Sequence, residues 1–332
     1  MIPVRSGLSR RGLLRALPPL AAAVTIPAGK SLAAGSYATF LDGVRRDAEA
    51  KGIPSDIISR ALALTRVPNP KVIKLDRHQP EFTLTWAQYR EKVLTQEKVA
   101  AGKAAVAQNR KTFEEVSAHY SVDMPPLSGI WGLESYYGRI TGNFHIIDAL
   151  ATLAYEGRRA SFFRSELMKA LKILGDGDIT PEAMKGSYAG AMGQPQFMPS
   201  AYLTYAQSFP AGGPRNIWTS IPDILASIAN YLAKCGWRSG EPWGQPVQMP
   251  DSLTQSQIGR QNTRTLDAWM QAGVRREDGS RFSRGDVSGA IVRPDGEGGE
   301  AFMVYHNFNV IRRYNPSDYY ALGVGLMGNM TT

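Results

Sequence analysis

The sequence predicts an α+β protein that is predominantly α, with a helical body, a small β-containing lobe and a C-terminal helix. From Ser36 to about Arg238, apolar residues recur at helical spacing. Residues 239–300 are instead rich in Gly, Pro, Ser and Gln and carry only short apolar runs. Between two of those runs, Ala290-Ile291-Val292 and Ala301-Phe302-Met303-Val304-Tyr305, the turn cluster Asp295-Gly296-Glu297-Gly298-Gly299 reads as a hairpin.

The chain opens on a segment that does not belong to the fold. Ser9-Arg10-Arg11-Gly12-Leu13-Leu14-Arg15 precedes an apolar run from Ala16 to Ile26, and small residues follow at Ala33-Ala34. A basic start, an apolar core too short to span a bilayer and a cleavage-type ending make residues 1–34 an export signal peptide. The paired arginines point to the twin-arginine type, with a general secretory signal as the alternative. This segment holds five basic residues and no acid, so its removal lowers the net charge from +9 to +4. That surplus suits an anionic cell-wall polymer and is too small to argue for nucleic acid. No second long apolar stretch provides a membrane anchor. The single cysteine, Cys235, excludes an internal disulfide and reads as a buried core residue.

Residues 35–332 are expected to form one folded unit: a mainly helical core over 35–238, the β-containing lobe over 239–312, and a helix over 313–332 that returns to the core. Val99, Val106, Phe113, Val116 and Tyr120 share one face of a long helix. Pro125-Pro126 punctuates the chain, and the next helix runs to Gly138. Ile146, Ile147, Leu150 and Leu153 mark a further helix, and Phe163, Leu167, Leu171 and Leu174 another that stops at Gly175. Thr180-Pro181-Glu182 carries a cap followed by proline, a helix-start signal. Ile224, Leu225, Ile228, Tyr231 and Leu232 form an amphipathic helix. A last strand and helix are expected from Phe308 to about Met327.

The chemistry centres on Glu134, a carboxylate inside Ile130-Trp131-Gly132-Leu133-Glu134-Ser135-Tyr136-Tyr137-Gly138. Burying an ionised carboxylate is costly, so such a residue either finds a partner or keeps its proton well above the usual range. A protonated carboxyl near neutral pH is what cleavage of a glycosidic bond requires, because the leaving oxygen must receive a proton. A core glutamate paired with Arg139 explains the segment equally well. The second segment, Gly186 to Ser200, leaves much of its backbone bare through three glycines and two alanines, so a helix or a ligand must approach it closely. Gly323-Val324-Gly325-Leu326-Met327-Gly328 matches a dinucleotide fingerprint but lacks the following acid and is set aside. The four histidines have no ligand spacing, which argues against zinc.

Trp131-Gly132-Leu133-Glu134 with Gly138-Arg139 begins a series of motifs that continues through Asp148-Ala149-Leu150-Ala151-Thr152-Leu153 and Arg158-Arg159-Ala160. It goes on through the Gly186–Ser200 stretch and Ala229-Asn230-Tyr231 to Arg313-Tyr314-Asn315-Pro316-Ser317. Together these resemble the membrane-bound lytic murein transglycosylase B family. The resemblance implies a lysozyme-like helical core, a soluble periplasmic enzyme and peptidoglycan glycan strands as substrate. Cell-wall synthesis or division proteins become further candidate partners. It places the catalytic acid at Glu134 and sugar contacts at Tyr89, Arg158, Arg159, Ser187, Gln196, Phe197, Tyr231, Tyr314, Asn315 and Tyr320, with no cofactor. Ordinary roles stay open for several: a solvated helix start for the arginines, half-buried aromatics for the tyrosines, backbone bracing for Ser187 and Gln196. Relatives carry an EF-hand-like calcium loop after Phe-Met-Pro-Ser. Here Ser208 to Trp218 has no carboxylate, so no metal site is expected. Phe162 stands where relatives carry a polar tyrosine. A hydrolytic muramidase with a second carboxylate, and a non-catalytic wall-binding scaffold, remain the rival readings.

Overall fold

The computed structural model describes residues 36–77, 84–156 and 159–332. The predicted signal peptide, His78 and Arg158 lie outside the described residues. Helices α1 (Tyr37–Ala50), α2 (Ser55–Leu62) and α3 (Pro70–Arg77) pack against the hairpin-like pair α8 (Ile146–Glu156) and α9 (Ala160–Gly175). Their apolar faces build one core, in which Val44, Ile58, Val72, Leu150 and Leu167 are fully buried. Between these elements run α4 (Trp86–Val93), α5 (Gln96–Gln108), α6 (Arg110–Tyr120), α7 (Met124–Ser135) and the short strand β1 (Phe144–His145). After α9 come β2 (Lys185–Gly186), α10 (Pro199–Tyr205) and α11 (Ile221–Lys234).

The lobe holds β3 (Gly244–Gln248), β4 (Arg264–Thr265), α12 (Leu266–Gln271), β5 (Arg275–Arg276), β6 (Ser288–Val292) and β7 (Ala301–Val304). Its five antiparallel strands lie in the order β4-β6-β7-β3-β5. The expected hairpin is β6–β7, with Ile291 opposite Met303. Both sheet faces are covered, and strand periodicity divides them. Ala290, Val292, Phe302 and Val304 join the core around α7 and α11, whereas Ile291, Ala301 and Met303 pack with Trp269 of α12. The chain closes with α13 (His306–Tyr314) and α14 (Asp318–Thr331).

Three expectations are corrected. The long helix through Val99 and Tyr120 is two helices, broken at Asn109, whose side-chain amide donates to the Ala105 carbonyl (2.8 Å). Thr180-Pro181-Glu182 starts only one turn: Thr180 Oγ1 accepts from Ala183 N, but the chain then leaves to pair β2 with β1. The last strand is a helix, α13, so the return to the helical body begins at His306 and not at residue 313. Asn307 secures that return by donating to the carbonyls of Arg238 and Glu241 and accepting from Arg238 N.

The glycines set aside as a false dinucleotide motif have a packing role. α14 lies along α7, and a Cβ at Gly328 would overlap the Pro125 carbonyl, while one at Gly325 would overlap the Trp243 ring. Across the same contact, a Cβ at Gly129 of α7 would collide with the Val324 carbonyl. Gly129→Ala gains about 1 kcal/mol of helix propensity but costs ~1–3 kcal/mol of overpacking. The expected outcome is a loss of thermal stability, together with reduced activity from displacement of α14. Gly213→Ala, with open space around it, should change neither. Calorimetry checks the stability of both variants, and an activity assay their function.

Candidate active site

Glu134 sits in the last turn of α7. The helix begins at the Asp123 cap with prolines in its first turn and ends through Tyr136 and Tyr137, both left-handed (φ 51° and 55°). Two adjacent non-glycine residues in that basin carry strain of ~1–2 kcal/mol each. Ile140 N to Ser135 O (2.9 Å) and Gly138 N to Ser135 Oγ (3.1 Å) hold this exit, and Gly138 continues the turn at φ 84°. The turn leaves Glu134 facing α14, where the Tyr320 hydroxyl donates to Glu134 Oε1 at 2.6 Å.

Burial pushes the Glu134 carboxyl up from 4.5 to about 7, and the Tyr320 hydrogen bond pulls against that rise. The unpaired carbonyls at a helix C-terminus disfavour a carboxylate further. The residue is half-buried, and its carboxyl is desolvated by the packing around it. Arg139 is not its partner, as it stacks on the Tyr136 ring (4.9 Å). Asp148, the nearest acid that follows it in sequence, accepts from Asn69 Nδ2 at 2.6 Å.

A band of aromatic rings from four helices and one loop surrounds the carboxyl. Tyr89 of α4 stacks on Trp86 (6.0 Å), and burial, then the charge of Glu134, pushes its phenol up to about 12. Tyr314 lies parallel to Tyr320 at 6.4 Å, with Tyr231 at 4.7 Å and Phe197 at 5.7 Å. Burial, then the proximity of Glu134, raises the phenols of Tyr314 and Tyr320 well above their usual value. Both rings therefore stay neutral and act as donors. Tyr314 gives its proton to Pro195 O (2.6 Å) and Tyr231 to Arg313 O (2.5 Å), which leaves ring faces as their main offering to a ligand.

The Gly186–Ser200 segment answers the question its bare backbone raised: what comes close is backbone. A Cβ at Gly186 would strike Ala191 O, and one at Gly142 would strike Gly186 O. Single bridges join Met192 to Gly186 and to Phe197, folding the segment back on itself. Ser187 Oγ accepts from Ala189 N (3.3 Å) and Ala191 N (3.0 Å). Gln196, left-handed at φ 54°, spends its amide nitrogen on Thr141 O (3.1 Å) and Gly193 O (2.7 Å). Both side chains brace the loop. Asn315 lies exposed at the corner between α13 and α14.

Arg159 is not brought to this cluster by any of its contacts. It precedes the first turn of α9 without a side-chain cap bond, stacks on Phe163 (4.9 Å) and stands 3.9 Å from Asp76. Phe162 is exposed beside it. Sequence reasoning missed Gln194, whose Oε1 accepts from Trp131 Nε1 (2.6 Å) while its Nε2 donates to Trp218 O (2.9 Å), tying the loop to the Glu134 helix. It also missed Tyr205, 4.4 Å from Tyr231. Only its place in the small-residue segment marked Gln194, since its partner is distant in sequence.

The loop from Ser208 to Trp218 does not fit calcium. Asp223 uses one carboxylate oxygen on Phe209 N (2.9 Å) and the other on Asn216 N (2.8 Å). The Arg215 guanidinium, within the loop, pairs with Asp178 (2.6 Å), so that carboxylate too is already engaged. Among the described residues no three His, Cys, Asp or Glu side chains gather as a metal site. No helix among them is long and apolar enough to cross a membrane.

The profile of the Transglycosylase SLT domain family matches residues 36–329, almost the whole described chain. The chain belongs to this family. Its relatives include membrane-bound lytic murein transglycosylase B of Escherichia coli K12, 33% identical over 251 residues, a match covering 73% of this chain and 66% of that protein. SltB3 from Pseudomonas aeruginosa, solved in complex with NAG-anhNAM-pentapeptide and with NAG-NAM-pentapeptide, superposes with a TM-score of 0.85. It is 42% identical, over 89% of this chain and 79% of that one. The Escherichia coli lytic transglycosylase Slt35 in complex with calcium superposes at 0.74 with 29% identity, over 89% of this chain and 92% of its own. The lysozyme-like helical core with its small lobe is thus the fold of this transglycosylase-family chain.

In this family member, Tyr320→Phe removes the one hydrogen bond that favours the ionised form of Glu134. The Glu134 midpoint should therefore rise, and the alkaline limb of the pH–rate profile should move to higher pH while kcat falls. A profile of wall-digestion rate against pH for both proteins reads the shift.

Proposed function

We propose that the chain is a peptidoglycan lytic transglycosylase, exported to the periplasm by its N-terminal signal. It would cleave the β-1,4 bond between N-acetylmuramic acid and N-acetylglucosamine and leave 1,6-anhydro-muramic acid ends. The observation that carries this reading is one desolvated carboxyl, Glu134, held by the Tyr320 hydroxyl beside a band of aromatic rings, with burial pushing its midpoint up to about 7. Family membership and the two sugar–peptide complexes of SltB3 support the substrate class.

Protonated Glu134 gives its proton to the bridging oxygen as the C1–O bond breaks and its electron pair leaves with that oxygen. The substrate's own N-acetyl oxygen stabilises the cationic C1, so no second protein carboxylate is needed. Glu134, now ionised and held by the Tyr320 hydroxyl, takes the proton of the C6 hydroxyl, whose oxygen closes on C1. Tyr320 contributes more to the carboxylate than to the acid, because a hydrogen bond to a charged acceptor is the stronger one. Tyr314, Tyr231 and Tyr89 offer flat apolar faces to the sugars, and Phe197, 2% exposed, backs Tyr231 and Tyr314 from the core. Ser187 and Asn315 flank the site as contacts for the N-acetyl group, and Gln196 holds the loop in shape. Arg159, whose contacts lie away from the aromatic band, would meet peptide oxygens on a longer strand, and Arg158 keeps the same role by resemblance alone. Cell-wall synthesis or division proteins are the partners such an activity would meet.

Digestion of purified peptidoglycan by residues 35–332 should release muropeptides one water lighter than hydrolysed ones, detected by chromatography and mass spectrometry. Glu134→Gln should lower the rate by ~100-fold or more, the usual range for loss of a general acid. Fully hydrated reducing ends would instead make the chain a muramidase, and binding without cleavage would make it a scaffold.

A further inference from the structure

The corner that carries Tyr314, Asn315 and Tyr320 is held by an ion cluster with no role in the chemistry above. Asp318, the first residue of α14, forms ion pairs with Arg312 Nε of α13 at 2.5 Å and Arg260 Nε of the lobe at 3.0 Å; Arg260 Nε also donates a hydrogen bond to Asp318 Oδ2 (3.3 Å), whereas the Arg312 contact is an ion pair without hydrogen-bond alignment. Arg312 also donates through Nη2 to Pro316 O (2.8 Å), closing the three-residue corner from its other side. Arg260 is itself anchored, since the neighbouring Gly259 N donates to Ile291 O of β6 at 2.7 Å. A continuous path therefore runs from the lobe sheet through Arg260 and Asp318 to the first turn of α14. In that turn Ser317 caps Tyr320 N, and the Tyr320 side chain reaches Glu134.

These are not loose surface pairs. The side chains of Arg312, Arg260 and Asp318 are 18%, 30% and 34% exposed, and one carboxylate serves two guanidinium groups. Partly buried charge pairs of this kind are screened less than exposed ones. The same carboxylate lies at the positive end of α14, which favours it further. The Tyr320 hydroxyl must stay within hydrogen-bond reach of a carboxyl on another helix, and a displacement of about 1 Å at such a site can cost ~100-fold in rate.

We propose that Asp318 is a positioning residue for Glu134: gripped by Arg312 and Arg260, it fixes the first turn of α14 so that the Tyr320 hydroxyl meets the carboxyl. The lobe thereby becomes part of the active site's support, through Arg260. The titratable groups facing Glu134 are Tyr89 from α4, Tyr314 from the end of α13 and Tyr320 from α14. Among them Tyr320 is the one that bonds to the carboxyl, so loosening its turn acts on Glu134 mainly through that bond.

The inference rests on Glu134 as the functional acid, but its test does not need turnover. The Glu134 carboxyl is followed by carbon-13 NMR across pH 4–9 in the wild type, Asp318→Ala, Arg260→Ala, Tyr320→Phe and both doubles with Tyr320→Phe. Asp318→Ala and Arg260→Ala should each raise the Glu134 midpoint, and neither should raise it further once Tyr320 is Phe. An unchanged midpoint in a folded variant overturns the proposal. So does a shift that persists in the Tyr320→Phe background, because it would act on Glu134 without passing through the phenol. Should Asp318→Ala fail to fold, Arg260→Ala, which cuts only the tie to the lobe, decides alone. Failure of the lytic reaction would show in the digestion products and leave these titrations untouched.

Discussion

The approach of α14 to α7 is the constraint on which the site depends. Gly129 and Gly328 remove the side chains that would hold the two helices apart, and the helices meet along much of their length. That contact sets how far Tyr320 stands from Glu134. It also shields the carboxyl from water on one side, so that burial can hold its proton. A helix pair spaced by ordinary side chains would leave the glutamate better hydrated and ionised near neutral pH, unable to act as an acid.

The lobe contributes beyond its own core. Asp295, at the β6–β7 turn, accepts from the backbone N–H groups of Trp86 and Ala87, and Glu300 accepts from Trp86 Nε1 (2.7 Å). These bonds cap the start of α4, which carries Tyr89 to the aromatic band. Through Arg260 the lobe also grips the start of α14. Two of the helices that face Glu134 thus have their first turns tied to the same lobe.

Much of this was legible in the sequence, and the exceptions have physical causes. Glu134 stood out because a carboxylate among Trp131, Leu133 and Tyr137 violates burial chemistry, and the β6–β7 hairpin because its glycines and its two apolar runs agree. The break at Asn109 was hidden, since apolar spacing on either side of it stays in phase. α13 reads as a strand in the sequence because its few apolar residues are too short a run to fix a period. Gln194 and Asp318 were invisible for another reason. Their partners, Trp131 and Arg260, lie about sixty residues away, and no local pattern reports such a meeting. Arg159 was legible only through resemblance, and its contacts with Asp76 and Phe163 set it apart from the aromatic band.

The claim at the centre is that the fold itself keeps Glu134 protonated, at a cost in stability. A carboxyl whose midpoint rises on folding contributes fully below its unfolded value of 4.5 and loses that contribution as pH climbs to about 7. The rise corresponds to roughly 3 kcal/mol at most, before the carboxyl's contact with solvent is allowed for. The direct measurement is unfolding free energy by denaturant titration, for the wild type and Glu134→Gln, from pH 4.5 to 8. The account predicts that the glutamine variant gains on the wild type steadily up to about pH 7 and then holds its advantage. A difference that stays constant across the range would mean that Glu134 titrates as it does in the unfolded chain, and would contradict the account.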